Sequence, residues 1–513
     1  MTIEMHPQRW GDPAKAEALP EATRALVDAF VGVRDTPASS AATLPVAHEL
    51  PLDELRAAGI EVMTDDETRR LRTRGKSTPD LLRARAGDLC DAPDAVLRPA
   101  SHAQVTTVLA WAVAHHVAVV PFGGGTCVTG GLAARRDGFA GLVSLDLMRL
   151  DRLLDVDSIS MTATLQPGMR APDAEVALAQ HGFTLGHFPQ SFEHASIGGF
   201  AATRSSGQAS AGFGRFDDMV VGLRVATPIG DLALGTSPAN AAGPDLREVV
   251  LGSEGTLGVI TEVTVRIRSL ATEESYDAWT FPSFSEGSDA MRRAAQAGLL
   301  PTVFRLSDEP ETMVNLASQS DIGGESVTGC LMIVGHEGTI TQDALAALLT
   351  DAGGTCLGPE RAAGWKHGRF HAPYLRDSLL DVGVLVETLE TATFWSRRDE
   401  VYLAVRACLE TSLGEGTLVL CHISHVYETG CSLYFTIAAR QGDDPLTQWE
   451  QAKAKVNDVL MEHGATITHH HAVGTDHRPW LAQEIGPVGV AMLRALKAAV
   501  DPAGVLNPGV LIP

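Results

Sequence analysis

Residues 465–480 read ATITHHHAVGTDHRPW and set three consecutive imidazoles, His469, His470 and His471, inside ordinary globular sequence. Histidine titrates closer to neutrality than any other unperturbed side chain, so the run offers general acid/base groups or metal ligands. If ATITHHH is an extended strand, its side chains alternate: His469 and His471 share one face and His470 looks the other way. Three adjacent strand residues are then badly placed to share one ion, and the chain contains neither an HExxH nor a CxxC pair. Acid/base use therefore ranks above metal binding, no metal is expected, and one of the three is read as a structural imidazole.

A second candidate is PFGGGTCVTGGL, residues 121–132. Glycines after an apolar VAVV run let the backbone bend tightly and turn successive N–H groups toward a diphosphate. A plain glycine turn competes for GGG alone; no Lys-Ser/Thr follows, as in a Walker loop, and no GxGxxG opens a helix. Two later loops, HFPQSFEHASIGGFAATRSSGQ (187–208) and LGSEGTLGVITE (251–262), repeat the Gly/Ser/Thr texture. Three such loops fit a long cofactor cradled along its length.

The elements that must position these groups are legible in part. Ser101 can cap a helix with Val105, Val108, Leu109, Ala112 and Val113 on one face, followed by VAVV as a buried strand. GVITEVTVRIR alternates, with Val259, Thr261, Val263, Val265 and Ile267 on one side. Asp444 can cap a helix whose first turn holds Pro445, whose inner face carries Trp449, Ala452, Val456, Val459 and Leu460, and which Gly464 ends. A short ATIT strand then leads into the histidines. A helix around VAMLRALKAAV and a turn-rich DPAGVLNPGVLIP finish the chain.

The chain has 513 residues, 45% of them hydrophobic and 20% charged, enough to bury a large core in two or three domains. A net charge of −23 argues against nucleic acid as partner and requires that an anionic substrate meet locally placed Arg or Lys. Seven scattered cysteines suit reduced thiols. No secretory pattern opens the sequence and no window reads as a spanning helix, so a cytoplasmic protein is expected. One band stands out: Arg69, Arg70, Arg72, Arg74, Lys76, Arg83 and Arg85. It is read as a solvated, salt-bridged surface, with contact to anionic lipid headgroups as the sharper alternative.

The motifs PFGGGTCVTGG, IGGFAATRSSG, GSEGTLGVIT and DPAGVLNPG resemble the flavin domain of the vanillyl-alcohol oxidase (PCMH-type FAD) superfamily. Across nearly the whole chain, RWGDP, GHFPQSFEHAS, PTVFRLSDE, GRFHAPYLRDSLL, LETATFW, SHVYETGCSLYFTI and ITHHHAVG are similar, in this order, to the alkyldihydroxyacetonephosphate synthases. The resemblance implies an α+β fold: a helical N-terminal region over 1–91, a two-subdomain PCMH-type FAD-binding domain over 92–270, an α/β cap over 271–468 and a C-terminal return to the FAD domain over 469–513. It implies noncovalent FAD. The cofactor contacts it assigns are Pro121, Phe122, Gly123, Gly124, Gly125, Thr126 and Cys127; Gln190, Ser191, Phe192, Glu193, His194, Ala195 and Ser196; Thr203, Arg204, Ser205 and Ser206; and Glu254, Gly255, Thr256, Leu257, Gly258, Val259 and Ile260. Arg376 and Arg305 are the implied substrate-binding residues, and Tyr434 with His469, His470 and His471 the implied catalytic ones.

The family's reaction exchanges the acyl group of acyl-dihydroxyacetone phosphate for a long-chain alcohol, through a covalent adduct at flavin N5 and with no net redox change. Lipid-like substrates, a homodimer and peripheral contact with a membrane surface are implied partners. An FAD-dependent 2-hydroxyacid dehydrogenase or oxidase of D-lactate or glycolate type is the rival reading, since it shares the flavin loops. A lipid-binding protein that keeps the fold without turnover is a third.

Overall fold

The computed structural model describes residues 3–34, 36, 43–133, 135–316, 329–338 and 342–513. Ser101 caps the helix His102–His115, its hydroxyl accepting from the Gln104 N–H at 3.2 Å. Val105, Val108, Leu109 and Ala112 are buried in the core, whereas Val113 is 39% exposed, so the apolar face is one residue narrower than its spacing predicts. His116 then turns the chain in the left-handed region, and the apolar run forms a strand ending at Phe122.

Four strands make the first sheet: β1 (Glu61–Met63), β2 (Ala95–Arg98), β3 (Val117–Phe122) and β4 (Gly141–Asp146), in the order β1-β2-β4-β3. β2, β3 and β4 run parallel, while β1 pairs antiparallel with β2. The N-terminal region thus supplies an edge strand as well as helices. Near the other end of the chain, Leu506 bridges Val119.

The second sheet is antiparallel, with β5 (Leu153–Asp157), β6 (Thr162–Leu165), β8 (Val220–Thr227), β9 (Gly230–Leu234) and β10 (Val259–Arg266) in the order β5-β6-β10-β8-β9. β10 keeps its expected alternation, burying Val259, Thr261, Val263 and Val265. A two-stranded pair, β7 (Phe183–Thr184) with β11 (Arg268–Ser269), closes this block.

The third sheet has seven strands: β12 (Glu274–Phe281), β13 (Val303–Ser307), β14 (Cys330–Glu337), β15 (Thr355–Gly358), β16 (Val384–Phe394), β17 (Leu418–Ile423) and β18 (Gly430–Arg440). Their order is β15-β12-β14-β13-β17-β18-β16, antiparallel throughout. One face is apolar: Phe304, Leu306, Leu389, Cys421, Leu433 and Phe435 pack on helices that bring Met291, Val405 and Trp449. Each large side chain buried there contributes roughly 1.5–3 kcal/mol. Alternation sends the residues between them, Arg305, Glu390, His422 and Tyr434, to the opposite face. The helix Pro445–Glu462 forms as its caps predict, with the Asp444 carboxylate accepting from the Thr447 N–H at 3.1 Å and Gly464 at positive φ just beyond it.

The basic band is not a solvated surface. Arg69, Arg72 and Lys76 are 3%, 4% and 7% exposed, and the band is tied inward. Arg72 bridges Asp146 and Glu4, Arg74 meets Asp91, Arg85 meets Asp381, and Lys76 Nζ donates to the His6 carbonyl. Buried guanidinium groups need such partners, and residues 69–85 weld the N-terminal segment to the first sheet. Among the described residues, no helix is long and apolar enough to cross a membrane.

Candidate active site

β3 delivers the glycine loop to the point where the other two loops converge. A Cβ on Gly123 would lie 2.3 Å from Ser196 Oγ, and one on Gly124 would lie 2.4 Å from the His194 carbonyl. Gly255, at φ +74, would place a Cβ 2.8 Å from the Pro121 ring. Only glycine permits this approach. Ser196 caps the helix Ile197–Thr203 by accepting from the Gly199 N–H, Arg204 ends it in the left-handed region, and Ser205 Oγ lies 3.2 Å from His187 Nε2. Buried polar atoms without a protein partner gather here: Gln190 Nε2, His194 Nε2, Ser206 Oγ, Ser253 Oγ and Arg170 Nε. Buried polar atoms are normally satisfied, so a glycine-walled cradle carrying several open ones fits a long polar group such as FAD.

Not every residue assigned to the cofactor faces such a group. The Glu254 carboxylate accepts from the Val473 and Gly474 N–H groups at 3.0 Å, and burial pushes it up to about 7. Glu193 pairs with Lys15 at 2.7 Å. Burial raises the Cys127 thiol to about 11, and its sulfur accepts from the Gly131 N–H, which makes it a protonated loop staple. Asn507 Nδ2 donates to the carbonyls of Gly131 and Glu254, so the C-terminal turn clamps two of the loops together.

The acid/base candidates lie across the third sheet. Register sets Ser307 opposite His422, His422 opposite Tyr434 and Tyr434 opposite Glu390, with Arg305 two residues from Ser307 on the same face. The row therefore crosses four neighbouring strands, β13-β17-β18-β16. Arg305 Nη2 donates to Glu311 Oε1 at 2.8 Å and lies 3.0 Å from His422 Nδ1. Burial works against ionisation of Glu311, but His422 and Arg305 hold it down to about 2. The Tyr434 ring stacks on His422 at 4.7 Å, and burial pushes its phenol up to about 12. Tyr434 is therefore a proton donor at neutral pH, not a phenolate.

The histidine stretch is a bend and not a strand, which overturns the alternation expected of it. The cause is Glu390. Its fully buried carboxylate accepts from the backbone N–H groups of His469, His470 and His471 at 2.7, 3.1 and 2.9 Å, and from Thr468 Oγ1 at 2.6 Å. Wrapping three successive N–H groups around one carboxylate requires a concave backbone, which an extended strand cannot supply. Burial alone would raise the Glu390 carboxyl; the three imidazoles and Thr468 hold it well below the usual range. The three rings consequently sit on one side. His470 stacks on Tyr434 at 6.0 Å, and His471 meets Tyr434 edge-on at 5.5 Å. The bend also brings ring nitrogens of His425, His469 and His470 within 4.8 Å of one another, whereas a strand would turn His470 away from His469. Hydrogen bonds engage this group: His469 Nδ1 lies 2.9 Å from His470 Nδ1, and His469 Nε2 lies 2.6 Å from Tyr427 Oη. Burial drives His469 and His471 down to about 3, so the rings rest neutral.

Cradle and cluster touch. Thr129 Oγ1, from the glycine loop, donates to the His471 carbonyl at 2.9 Å, and Arg215 donates to the His469 carbonyl at 3.1 Å. Arg376 stands apart: on the helix Ala372–Leu380, its Nη1 donates to the Lys76 carbonyl at 2.7 Å, Asp377 lies 3.4 Å away, and its buried Nε has no partner. Five residues of the cluster escape sequence reasoning: Glu390, His422, His425, Glu311 and Tyr427. A signal existed for Glu390, a carboxylate in the apolar run VLVETLETATF, since a buried charge must have a purpose.

Residues 93–233 match the family described as FAD binding domain, and residues 270–511 match FAD linked oxidases, C-terminal domain. An alkyldihydroxyacetonephosphate synthase of Trypanosoma brucei brucei is 33% identical over 506 residues, covering 91% of this chain and 81% of that protein. The synthase of Dictyostelium discoideum is 31% identical, covering 88% and 78%. A solved alkyldihydroxyacetonephosphate synthase structure superposes with a TM-score of 0.85 at 28% identity, covering 98% of both chains.

Proposed function

We propose how the site works from the premise that the chain belongs to the alkyldihydroxyacetonephosphate synthase family. It is an FAD-dependent enzyme that replaces the acyl group of acyl-dihydroxyacetone phosphate with a long-chain alcohol. The C1–O bond to the acyl group breaks with its electron pair leaving on the carboxylate, a C1–O bond to the alcohol forms, and the hydroxyl proton is released. Bound FAD supplies a conjugated electron reservoir that makes C1 exchangeable with no net redox change.

The residues divide the remaining work. Backbone of the 121–127, 190–206 and 254–260 loops holds the cofactor. The planar fork of Arg376 takes the substrate phosphate, which a protein of net charge −23 does not attract by its general field. Tyr434, kept protonated by burial, delivers or withdraws a proton at C1. The histidines receive the alcohol proton, with Glu390 stabilising the transient imidazolium. Arg305, held by Glu311, orients His422 and through it the Tyr434 ring. The 271–468 segment acts as the cap that carries this row, and the 469–513 segment returns to clamp the flavin loops. The observation that carries the reading is the gathering of all three histidines on one buried carboxylate beside the glycine loop, with the rings of His470 and His471 against Tyr434.

A homodimer and a peripheral membrane contact belong to the same proposal; the basic residues of the 69–85 band, buried or paired with carboxylates and carbonyls of the chain, lend the membrane contact no support. The test is incubation of FAD-loaded protein with palmitoyl-dihydroxyacetone phosphate and labelled hexadecanol. Labelled ether is expected without an electron acceptor. No ether at full FAD occupancy, together with anaerobic bleaching by D-lactate, would overturn the reading in favour of a 2-hydroxyacid oxidoreductase.

A further inference from the structure

The exchange leaves one proton per turnover, because the fatty acid departs as a carboxylate at neutral pH while the alcohol gives up its hydrogen. That proton starts inside a cluster whose His469 is 8% exposed and whose Glu390 is 2% exposed, so it needs a way out. A continuous hydrogen-bonded path runs from His470 to the turn between β17 and β18. His470 Nδ1 lies 2.9 Å from His469 Nδ1, and the other nitrogen of the His469 ring, Nε2, lies 2.6 Å from Tyr427 Oη. Tyr427 sits in the turn between β17 and β18, half-buried, directly before the exposed Glu428 and Thr429.

We propose that Tyr427 is the outer end of a proton relay, His470 to His469 to Tyr427, that carries the alcohol proton from the reacting centre to solvent. The inference rests on the synthase reading of the site. Each member can accept on one side while it donates on the other: two ring nitrogens for His469, lone pair and O–H for the phenol. No member has to hold a lasting charge, which suits surroundings where burial keeps His469 neutral and the Tyr427 phenol protonated. The relay is also held in place. Arg215 Nη1 donates to the His469 carbonyl at 3.1 Å, and Trp395 Nε1 donates to the Tyr427 carbonyl at 3.0 Å. Its inner end, His470, lies against Tyr434, so the proton enters beside the carbon at which the bonds change.

Tyr427→Phe keeps the ring and deletes only the transferring hydroxyl. In FAD-loaded enzyme and dilute buffer, kcat for ether formation should fall about ten- to hundredfold, within the range of a lost proton-transfer group. KM for palmitoyl-dihydroxyacetone phosphate and FAD content should stay unchanged, the solvent deuterium isotope effect on kcat should rise, and added imidazole should restore turnover. Tyr427→His, which keeps a group that can accept and donate, should need no imidazole. Wild-type kcat in Tyr427→Phe would overturn the relay, and so would equal losses in both variants with no rescue, since those describe a structural phenol. Absence of ether from the wild-type enzyme is a separate outcome: it overturns the synthase reading, and the relay falls with it.

Discussion

The flavin cradle and the histidine–tyrosine cluster touch, Thr129 donating to the His471 carbonyl, yet are built on opposite principles. The cradle is backbone: glycines at 123, 124 and 255 let three loops approach to distances no side chain permits. The cluster is side chain: Arg305, His422, Tyr434 and Glu390 come from four strands, and sheet register alone aligns them. A site made of backbone is written locally, in a few residues. A site made across a sheet is written in the topology, and its members stand far apart in the chain.

If the two regions are separable, substitutions should damage one and spare the other. The largest effect is expected from Glu390→Gln. The amide oxygen cannot satisfy four donors, and its NH2 would face N–H groups, so loss of about 3–5 kcal/mol in chemical unfolding is expected, with turnover reduced more than about a hundredfold. Flavin absorbance should remain. Unchanged unfolding and turnover would remove Glu390 from the centre of the cluster.

Tyr434→Phe comes next. A drop in kcat of about 10²–10⁴-fold is expected for a lost proton-transfer group, with full FAD occupancy and less than about 1.5 kcal/mol change in stability. A variant that turns over normally would return Tyr434 to a packing role. Gly124→Ala should produce the mirror image: its methyl would meet the His194 carbonyl at 2.4 Å and Ala195 Cα at 2.8 Å, forcing the loops apart at a cost of about 1–3 kcal/mol. The expected protein is folded and colourless. Full flavin content in this variant would refute the steric account of the cradle.

The same division explains what was legible in the sequence. Ser101 and Asp444 announce helices because capping is a two- or three-residue event, and β10 announces itself by alternation. The flavin loops are visible as glycine motifs for the same reason. ATIT favours extension locally, which makes the histidine stretch resemble a strand; Glu390, some eighty residues earlier, overrides that preference with three N–H contacts. His422 carries no local mark that joins it to Tyr434, since only the β17-β18 register does so, and Glu311, on the helix Glu309–Leu316, joins the row only through its contacts with Arg305 and His422. Resemblance pointed to Tyr434, Arg305 and the histidines but not to the groups that hold them. The arginine band looks like a solvated surface from its own residues because its partners, from Glu4 to Asp381, lie outside the band itself.

The finest separation of cradle from cluster is in pH. Burial lowers His469 and His471 from 6.5 to about 3 in the folded protein, so between those values the unfolded chain binds protons that the folded one refuses. Their contribution to stability is complete above pH 6.5 and is lost as pH falls toward 3. Glu254, in the cradle, runs the other way. Raised from 4.5 to about 7, it keeps its proton in the folded state where the unfolded chain has lost it. Its contribution is complete below pH 4.5 and is lost as pH rises through about 7. Between pH 5 and 6.5 the two regions therefore pull in opposite directions, each group by at most about 1.4 kcal/mol per pH unit. Removing a histidine should flatten the rise of stability with pH, and removing the carboxyl should steepen it. Chemical unfolding of the wild-type protein, His469→Gln and Glu254→Gln at several pH values in that window reads this directly. Curves that diverge with opposite sign from the wild type are expected; parallel curves would mean that neither group keeps its shifted protonation in the folded protein.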